Sequence, residues 1–120
     1  MMIRSPGFLL IIGILSLSCT QIPHMAEDME GVEYRDGIYE GEYMQTLVGA
    51  KVEVTIRNGR IAEIRYEEYK AGRDRNARTI IPERIIEAQS PNVEIVTGAT
   101  GSSKVIMNAV QMALEKAVIK

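Results

Sequence analysis

The chain has 120 residues with 14 basic and 16 acidic side chains, a formal net charge of −2, and room for one domain. It has no Trp, and its single Phe is at position 8, so the core of a domain that follows the N-terminal segment is expected to be aliphatic with some tyrosine. Without Arg4, 13 basic residues remain against 16 acidic ones, and they form no clustered basic face. This balance argues against a nucleic-acid partner, which would need such a face.

Residues 1–18 predict a bacterial export signal. Arg4 is the only charged residue of this segment, and it precedes an apolar run from Phe8 to Leu15. This run is shorter than the roughly 20 apolar residues that a membrane-spanning helix needs. A cleaved signal peptide is therefore favoured, with an uncleaved anchor as the alternative.

Cys19 follows this segment directly and is the only cysteine, so it has no intramolecular disulfide partner. The five residues that end in Cys19 resemble a lipobox, with Ser16 at the position where leucine is usual. Lipidation of Cys19 would anchor the mature protein to the outer face of a bacterial membrane, since acyl chains supply the apolar contact with the bilayer. The expected localisation is that of an exported lipoprotein.

Residues 19–33 are predicted to form an acidic spacer, because they include Pro23 and show no hydrophobic periodicity. His24 lies in this spacer with no second His or Cys to complete a metal site, so no metal site is predicted. The folded domain is expected to occupy residues 34–120.

Three strands are predicted at the start of this domain. The first is the tyrosine-rich segment 38–43, and the second is 51–57, in which apolar and polar residues alternate strictly. Asn58 and Gly59 follow as the strongest short hairpin signal, because both central residues of a type I′ turn need positive φ. The return strand, 60–69, is expected to place Ala62, Ile64 and Tyr66 on one face.

The rest of the domain alternates loop, helix and strand signals. Residues 70–78 are polar with a cationic excess, which suits either a solvated loop or a surface that faces an anion. Pro82 is expected to open a short helix through Gln89, and residues 93–96 suit a short strand. Strands followed by helix, strand and helix predict an α+β domain, in which an antiparallel sheet with a central hairpin is backed by a short middle helix and a long C-terminal helix.

The long C-terminal helix has the clearest signal of these elements. Apolar residues recur at helical spacing from Val105 to Val118 and form one continuous stripe. Ser102 or Ser103 is expected to cap its start.

The stretch from Thr97 to Lys104 precedes that helix and combines two glycines with four hydroxyl residues. Backbone N–H groups at a helix N-terminus bind anions, and glycine lets a phosphate approach the backbone, so this stretch predicts a phosphate-binding turn. A nucleotide P-loop is excluded, because the glycine it needs five positions after Gly98 is Ser103. A purely structural glycine turn before a capped helix is the alternative.

The same stretch resembles the Ser/Thr-Gly-Ala-Thr-x-Ser/Thr-Ser signature of the FMN-binding domain family. That family includes the extracytoplasmic flavin subunits of the sodium-pumping NADH:quinone oxidoreductase and of the related Rnf complexes. Asp36 to Glu42 resembles the opening turn of the family, Val52 to Ile64 its hairpin, and Ile81 to Ser90 its helix before the signature. The resemblance implies that FMN is the cofactor.

In members of this family with covalent flavin, the second threonine of the signature forms a phosphoester with FMN, and in this sequence that residue is Thr100. A separate flavin transferase attaches the FMN outside the cytoplasm, and the acidic position that it recognises corresponds to Glu94. The resemblance also implies cofactor contacts along the turn, from Thr97, Gly98, Ala99, Gly101, Ser102, Ser103 and Lys104. Tyr39, Tyr43 and the 70–78 loop are candidates to flank the flavin ring.

These features together predict a membrane-tethered flavoprotein that transfers electrons between a membrane redox complex and an extracellular acceptor. No catalytic acid–base pair is identified, and an electron carrier is favoured over an independent enzyme. Two alternatives remain: an FMN-dependent reductase module for a small acceptor, and a lipoprotein that binds flavin without a covalent bond.

Overall fold

The computed structural model describes residues 32–119. The signal predicted at 1–18, Cys19 and nearly all of the 19–33 spacer lie outside the described residues. Within 32–119, no helix combines the length and the apolar character that crossing a membrane requires. The elements, in chain order, are β1 (Gly37–Gln45), β2 (Val48–Arg57), β3 (Arg60–Lys70), α1 (Ala77–Ala88) and α2 (Thr100–Ala117).

The fold is α+β, as the sequence predicts. The three strands form one antiparallel sheet in the order β1-β2-β3, and the two helices pack on one face of it. Inward-facing residues of β2 and the apolar stripe of α2 form most of the buried core. The predicted hairpin at Asn58 and Gly59 is present, with φ of 55° and 74° at its two turn residues.

Two bulges in β3 change which side chains face the core. Each bulge adds one unpaired residue to β3, Ala62 in the first and Glu67 in the second, so two residues that are three apart across a bulge share a face. Ile61 is therefore buried opposite Ile56, whereas the alternation in the sequence gave that place to Ala62. The second bulge places Tyr66 and Tyr69 on the same face, with their ring centroids 5.0 Å apart.

The middle helix begins earlier than predicted. It starts at Ala77, so Pro82 lies inside the helix and does not open it. A proline in this position removes the N–H that would bond to the carbonyl of Arg78, four residues earlier. The Tyr66 hydroxyl donates to that carbonyl at 2.7 Å and so satisfies it. This contact makes an internal proline tolerable.

The strand predicted at 93–96 is also absent, and the segment has no regular secondary structure. Its backbone groups bond to side chains in place of a neighbouring strand. The Arg84 guanidinium donates to the carbonyl oxygens of Glu94 at 2.6 Å and Ile95 at 3.3 Å, and the N–H of Val96 donates to Ser103. The segment is therefore held beside the two helices and outside the sheet.

Helix α2 crosses β1 at Gly41 with its backbone in close contact. A Cβ at Gly41 would overlap the carbonyl oxygen of Ala109 and lie 2.5 Å from the backbone nitrogen of Ala113. Glycine is required at this position because any side chain would push the helix away from the sheet. The contact fixes the position of α2 relative to β1.

We expect Gly41→Ala to destabilise the domain by about 3 kcal/mol, because the added methyl group meets backbone atoms that cannot rotate away. Chemical denaturation of the purified domain measures this change. Gly72→Ala is the matched control, since a Cβ there meets no atom within 4 Å. Equal stabilities of the two variants would contradict the close approach of α2 to β1.

Candidate functional site

The start of α2 leaves its first backbone N–H groups unused by the helix. The helix begins at Thr100, and its first turn closes with a bond from the N–H of Ser103 to the carbonyl of Ala99 at 2.9 Å. The N–H groups of Thr100, Gly101 and Ser102 precede that bond. The N-cap residue is Ala99, and no side chain caps the helix there. An uncapped helix N-terminus of this kind presents several donors and the positive end of the helix dipole to an anion.

The capping role predicted for Ser102 or Ser103 is wrong, because both residues lie inside the helix and bond to neighbouring loops. The Ser103 hydroxyl accepts from the N–H of Val96 at 3.0 Å. The Ser102 hydroxyl donates to the carbonyl of Arg73 at 3.1 Å. Both side chains are buried, and together they fasten the helix start to the segments on either side.

The chain reverses direction just before α2 in a glycine-dependent turn. The N–H of Ala99 bonds to the carbonyl of Val96 at 2.9 Å, and Gly98 has a φ of +86°. This is the pattern of a type II turn, whose third residue needs positive φ. Arg75 packs over Gly98, so that a Cβ there would lie 3.3 Å from its Nε atom. Gly98 thus meets both a conformational and a steric requirement.

A cavity of about 440 Å³ opens beside this turn. Its volume falls within the range of small-molecule sites, and it is open to solvent. The turn of β1–β2, the end of β3 with the segment that follows it, and the start of α2 form its walls. The lining residues are Leu47, Val48, Lys70, Ala71, Gly72, Arg73, Gly98, Ala99, Thr100, Gly101 and Ser102.

Five of the predicted cofactor residues, Gly98 to Ser102, therefore lie together in one cavity. Thr97 is exposed in the turn next to it, and Ser103 is buried behind it. Lys104 is exposed and lies one helical turn after Thr100, on the same side of α2. Glu94 is exposed in the segment that leads to the turn.

The two tyrosines predicted to flank a flavin ring do not line this cavity. The Tyr39 hydroxyl donates to the carbonyls of Arg35 at 2.7 Å and Asp36 at 3.2 Å, at the opposite end of the sheet. Tyr43 pairs with Ala50 in the sheet and packs against the core. The 70–78 loop, by contrast, supplies four residues to the lining. Leu47 and Val48 also line the cavity, and no sequence pattern marks them as site residues, because their place depends on how the β1–β2 hairpin meets α2.

Tyr69 holds the 70–78 loop in place through Asp74. The Tyr69 hydroxyl donates to one carboxylate oxygen of Asp74 at 2.5 Å, and the other accepts from the N–H of Arg78 at 3.2 Å. The Arg78 guanidinium lies 5.3 Å from the ring centroid of Tyr66 and 5.6 Å from that of Tyr69. These contacts join β3, the loop and α1, so the cavity wall is tied to two regular elements.

Burial and the Asp74 carboxylate raise the pKa of Tyr69 to about 12, and burial also raises the pKa of Tyr66 well above its usual range. Each tyrosine is therefore a neutral hydrogen-bond donor at physiological pH.

Three carboxylates form an acidic cluster on the face of the sheet away from the helices. Oxygen atoms of Glu40, Glu53 and Glu67 lie within 4.8 Å of one another, and the Lys51 ammonium is 3.8 Å from Glu67. Desolvation raises the pKa of Glu67, as do hydrogen bonds with the other two carboxylates. This cluster does not border the cavity beside α2.

The raised pKa values of Tyr66 and Tyr69 predict that the stability of the domain falls at alkaline pH. Their raised pKa values mean that the folded state holds the phenolic protons more tightly than the unfolded chain does. This contribution is fully present below the ordinary value of 10.0 and is lost as the pH rises through about 12. Tyr69→Phe should lower stability at neutral pH by about 1.5 kcal/mol, through the lost bond to a charged group, and flatten the alkaline decline. Denaturant titrations across this pH range measure both effects, and an unchanged alkaline slope in the variant would contradict the assignment.

A family model for the FMN-binding domain matches residues 49–115, from the start of β2 almost to the end of α2. No curated protein and no solved structure matches the chain. The matched span is more than half of the chain and contains the uncapped start of α2 and most of the cavity lining. The uncapped N–H groups, the exposed Thr100 and the basic residues of the cavity wall fit a phosphate-bearing cofactor. This protein is a flavin-binding protein of the FMN-binding domain family, and its cofactor is FMN.

Proposed function

We propose that this domain carries FMN as a phosphoester on Thr100 and passes electrons through it outside the cytoplasm. The observation that carries the proposal is the position of Thr100 as the first residue of an uncapped helix. Its exposed side chain lines the cavity beside N–H groups that the helix does not use. A phosphate held there would be stabilised by those donors and by the helix dipole.

The other hydroxyls of the turn are less suitable for the ester. Ser103 is buried and accepts from the N–H of Val96, and Ser102 is buried and donates to Arg73. Thr97 is exposed but does not line the cavity. Thr100 alone among the four combines exposure with a place in the cavity wall, which agrees with the role that the family resemblance gives it.

The ester would be formed by a separate flavin transferase with FAD as the donor. The Thr100 oxygen forms a bond to the phosphorus that carries riboflavin, the pyrophosphate bond breaks, and AMP leaves. The hydroxyl proton passes to a base of the transferase, and no electrons are transferred. The exposed Glu94 side chain, in the segment before the turn, is available for recognition by that enzyme.

Bound FMN supplies reversible uptake and release of electrons, and the protein supplies its position and surroundings. The cavity is open to solvent, so a redox partner can approach it directly. Export with a lipid anchor at Cys19 would place the domain between a membrane redox complex and an extracellular acceptor. A reductase module for a small acceptor and a binder of noncovalent flavin are the alternatives that measurement must separate.

Co-expression of the exported protein with a flavin transferase tests the ester. We expect flavin fluorescence to remain with the chain on a denaturing gel. The tryptic peptide 85–104 should gain the mass of FMN less one water, with fragmentation that places it on Thr100. Thr100→Ala should lose all covalent flavin because the variant has no hydroxyl to esterify, and Thr100→Ser should retain some.

Thr79→Ala is the matched control, since Thr79 is an exposed threonine on α1 away from the cavity lining. It should carry as much flavin as the unmodified sequence. Flavin that stays on the Thr100→Ala chain after denaturation would refute the attachment site. Flavin that leaves the unmodified chain on denaturation would favour the noncovalent alternative.

A further inference from the structure

The two hairpin turns of the sheet differ in their residue types and in their φ angles. Asn58 and Gly59, between β2 and β3, have the positive φ angles and residue types of a type I′ turn. The β1–β2 turn consists of Thr46 and Leu47, between the paired residues Gln45 and Val48. Neither turn residue has positive φ, and neither is a residue type that two-residue hairpin turns favour. Turn formation therefore does not account for a leucine at position 47.

The Leu47 side chain is 77% exposed, more than any other large apolar side chain in the described part of the chain. It lines the same cavity as the uncapped start of α2. The cavity has a volume of about 440 Å³, whereas one water molecule occupies roughly 30 Å³ in the liquid. A phosphate group is only a few times larger than a water molecule, so it would fill only part of the cavity. The cavity wall that faces the start of α2 combines the apolar residues Leu47, Val48 and Ala71 with the basic residues Lys70 and Arg73.

We infer that Leu47 is a positioning residue that packs against the isoalloxazine ring of FMN whose phosphate is held at the start of α2. A tricyclic aromatic ring offers the apolar surface that an exposed leucine lacks in the free protein, and burying that surface is favourable. The inference rests on FMN binding in this cavity, and it adds the apolar half of the site to the phosphate half. Leu47 thus sets how firmly the ring is held, while the phosphate end sets whether flavin is held at all.

Leu47→Ala tests this division in the flavin-loaded protein. Flavin content per chain should stay unchanged, because the phosphate end is untouched. The ratio of packed to free ring should fall about tenfold, equivalent to about 1.4 kcal/mol, for the loss of one side of an apolar contact. Iodide quenching of flavin fluorescence should therefore increase and fluorescence anisotropy should decrease.

Two further variants separate this effect from damage to the hairpin. The double substitution Thr46→Asn with Leu47→Gly installs a favoured type I′ turn, so it should keep the hairpin folded and still increase quenching. Ile38→Ala removes another exposed apolar side chain, 64% exposed on β1 and not part of the cavity lining, and should leave quenching unchanged.

Equal iodide quenching in Leu47→Ala and the unmodified protein would overturn the inference. A drop in flavin content with unchanged quenching of the remaining flavin would also overturn it, because Leu47 would then act in loading. Flavin that is present but released on denaturation shows instead that the Thr100 ester is absent. In that case Leu47→Ala should raise the dissociation constant of FMN about tenfold in a fluorescence titration, and an unchanged constant would overturn the inference.

Discussion

The uncapped start of α2 is the constraint on which the site depends. A helix leaves its first N–H groups without intrahelical partners, and a Ser, Thr, Asp or Asn at the N-cap usually accepts from them. Here the N-cap is Ala99, which has no acceptor in its side chain. The nearby serines hold other segments in place: Ser102 bonds to Arg73, and Ser103 bonds to Val96. The two serine hydroxyls thus bond to neighbouring segments and do not cap α2. The first N–H groups of α2 therefore remain available to an anion.

The position of that helix start depends on packing at the middle of α2. The absence of a side chain at Gly41 lets the helix backbone rest on β1, so α2 lies along the sheet with its first turn beside the β1–β2 hairpin. The bulge near Glu67 has a related effect on the opposite wall. It places Tyr69 on the same face as Tyr66, where the Tyr69 hydroxyl can reach Asp74 and fix the loop that Ser102 contacts. Gly41 and the bulge at Glu67 both lie outside the cavity, and together they position two of its walls.

The parts of this structure that the sequence predicts are those set by local chemistry. Asn58 and Gly59 specify their turn by φ alone, and the apolar stripe of α2 specifies its buried face. The predicted phosphate-binding turn is a glycine turn at the start of α2, as its glycine and hydroxyl residues indicate. The errors fall where distant contacts replace a local rule. Pro82 is tolerated inside α1 because Tyr66, from β3, satisfies the freed carbonyl of Arg78. Residues 93–96 form no strand because Arg84 and Ser103 take up their backbone bonds. Leu47 was missed for the same reason, since its place in the cavity depends on how the hairpin meets α2.

The two ends of α2 have different surroundings, with the cavity at the N-terminus and the Tyr34 segment near the C-terminus. The helix has 18 residues and is therefore about 27 Å long, at a rise of 1.5 Å per residue. Its N-terminus borders the cavity, and beyond its C-terminus Val118 pairs with Tyr34, close to where the described chain begins. Any segment that precedes Tyr34 thus joins the domain at the end away from the cavity. If Cys19 carries the proposed lipid anchor, the tether would join the domain at the Tyr34 end, away from Thr100 and Leu47. In that arrangement the proposed redox partner would reach the flavin from the side of the domain away from the tether.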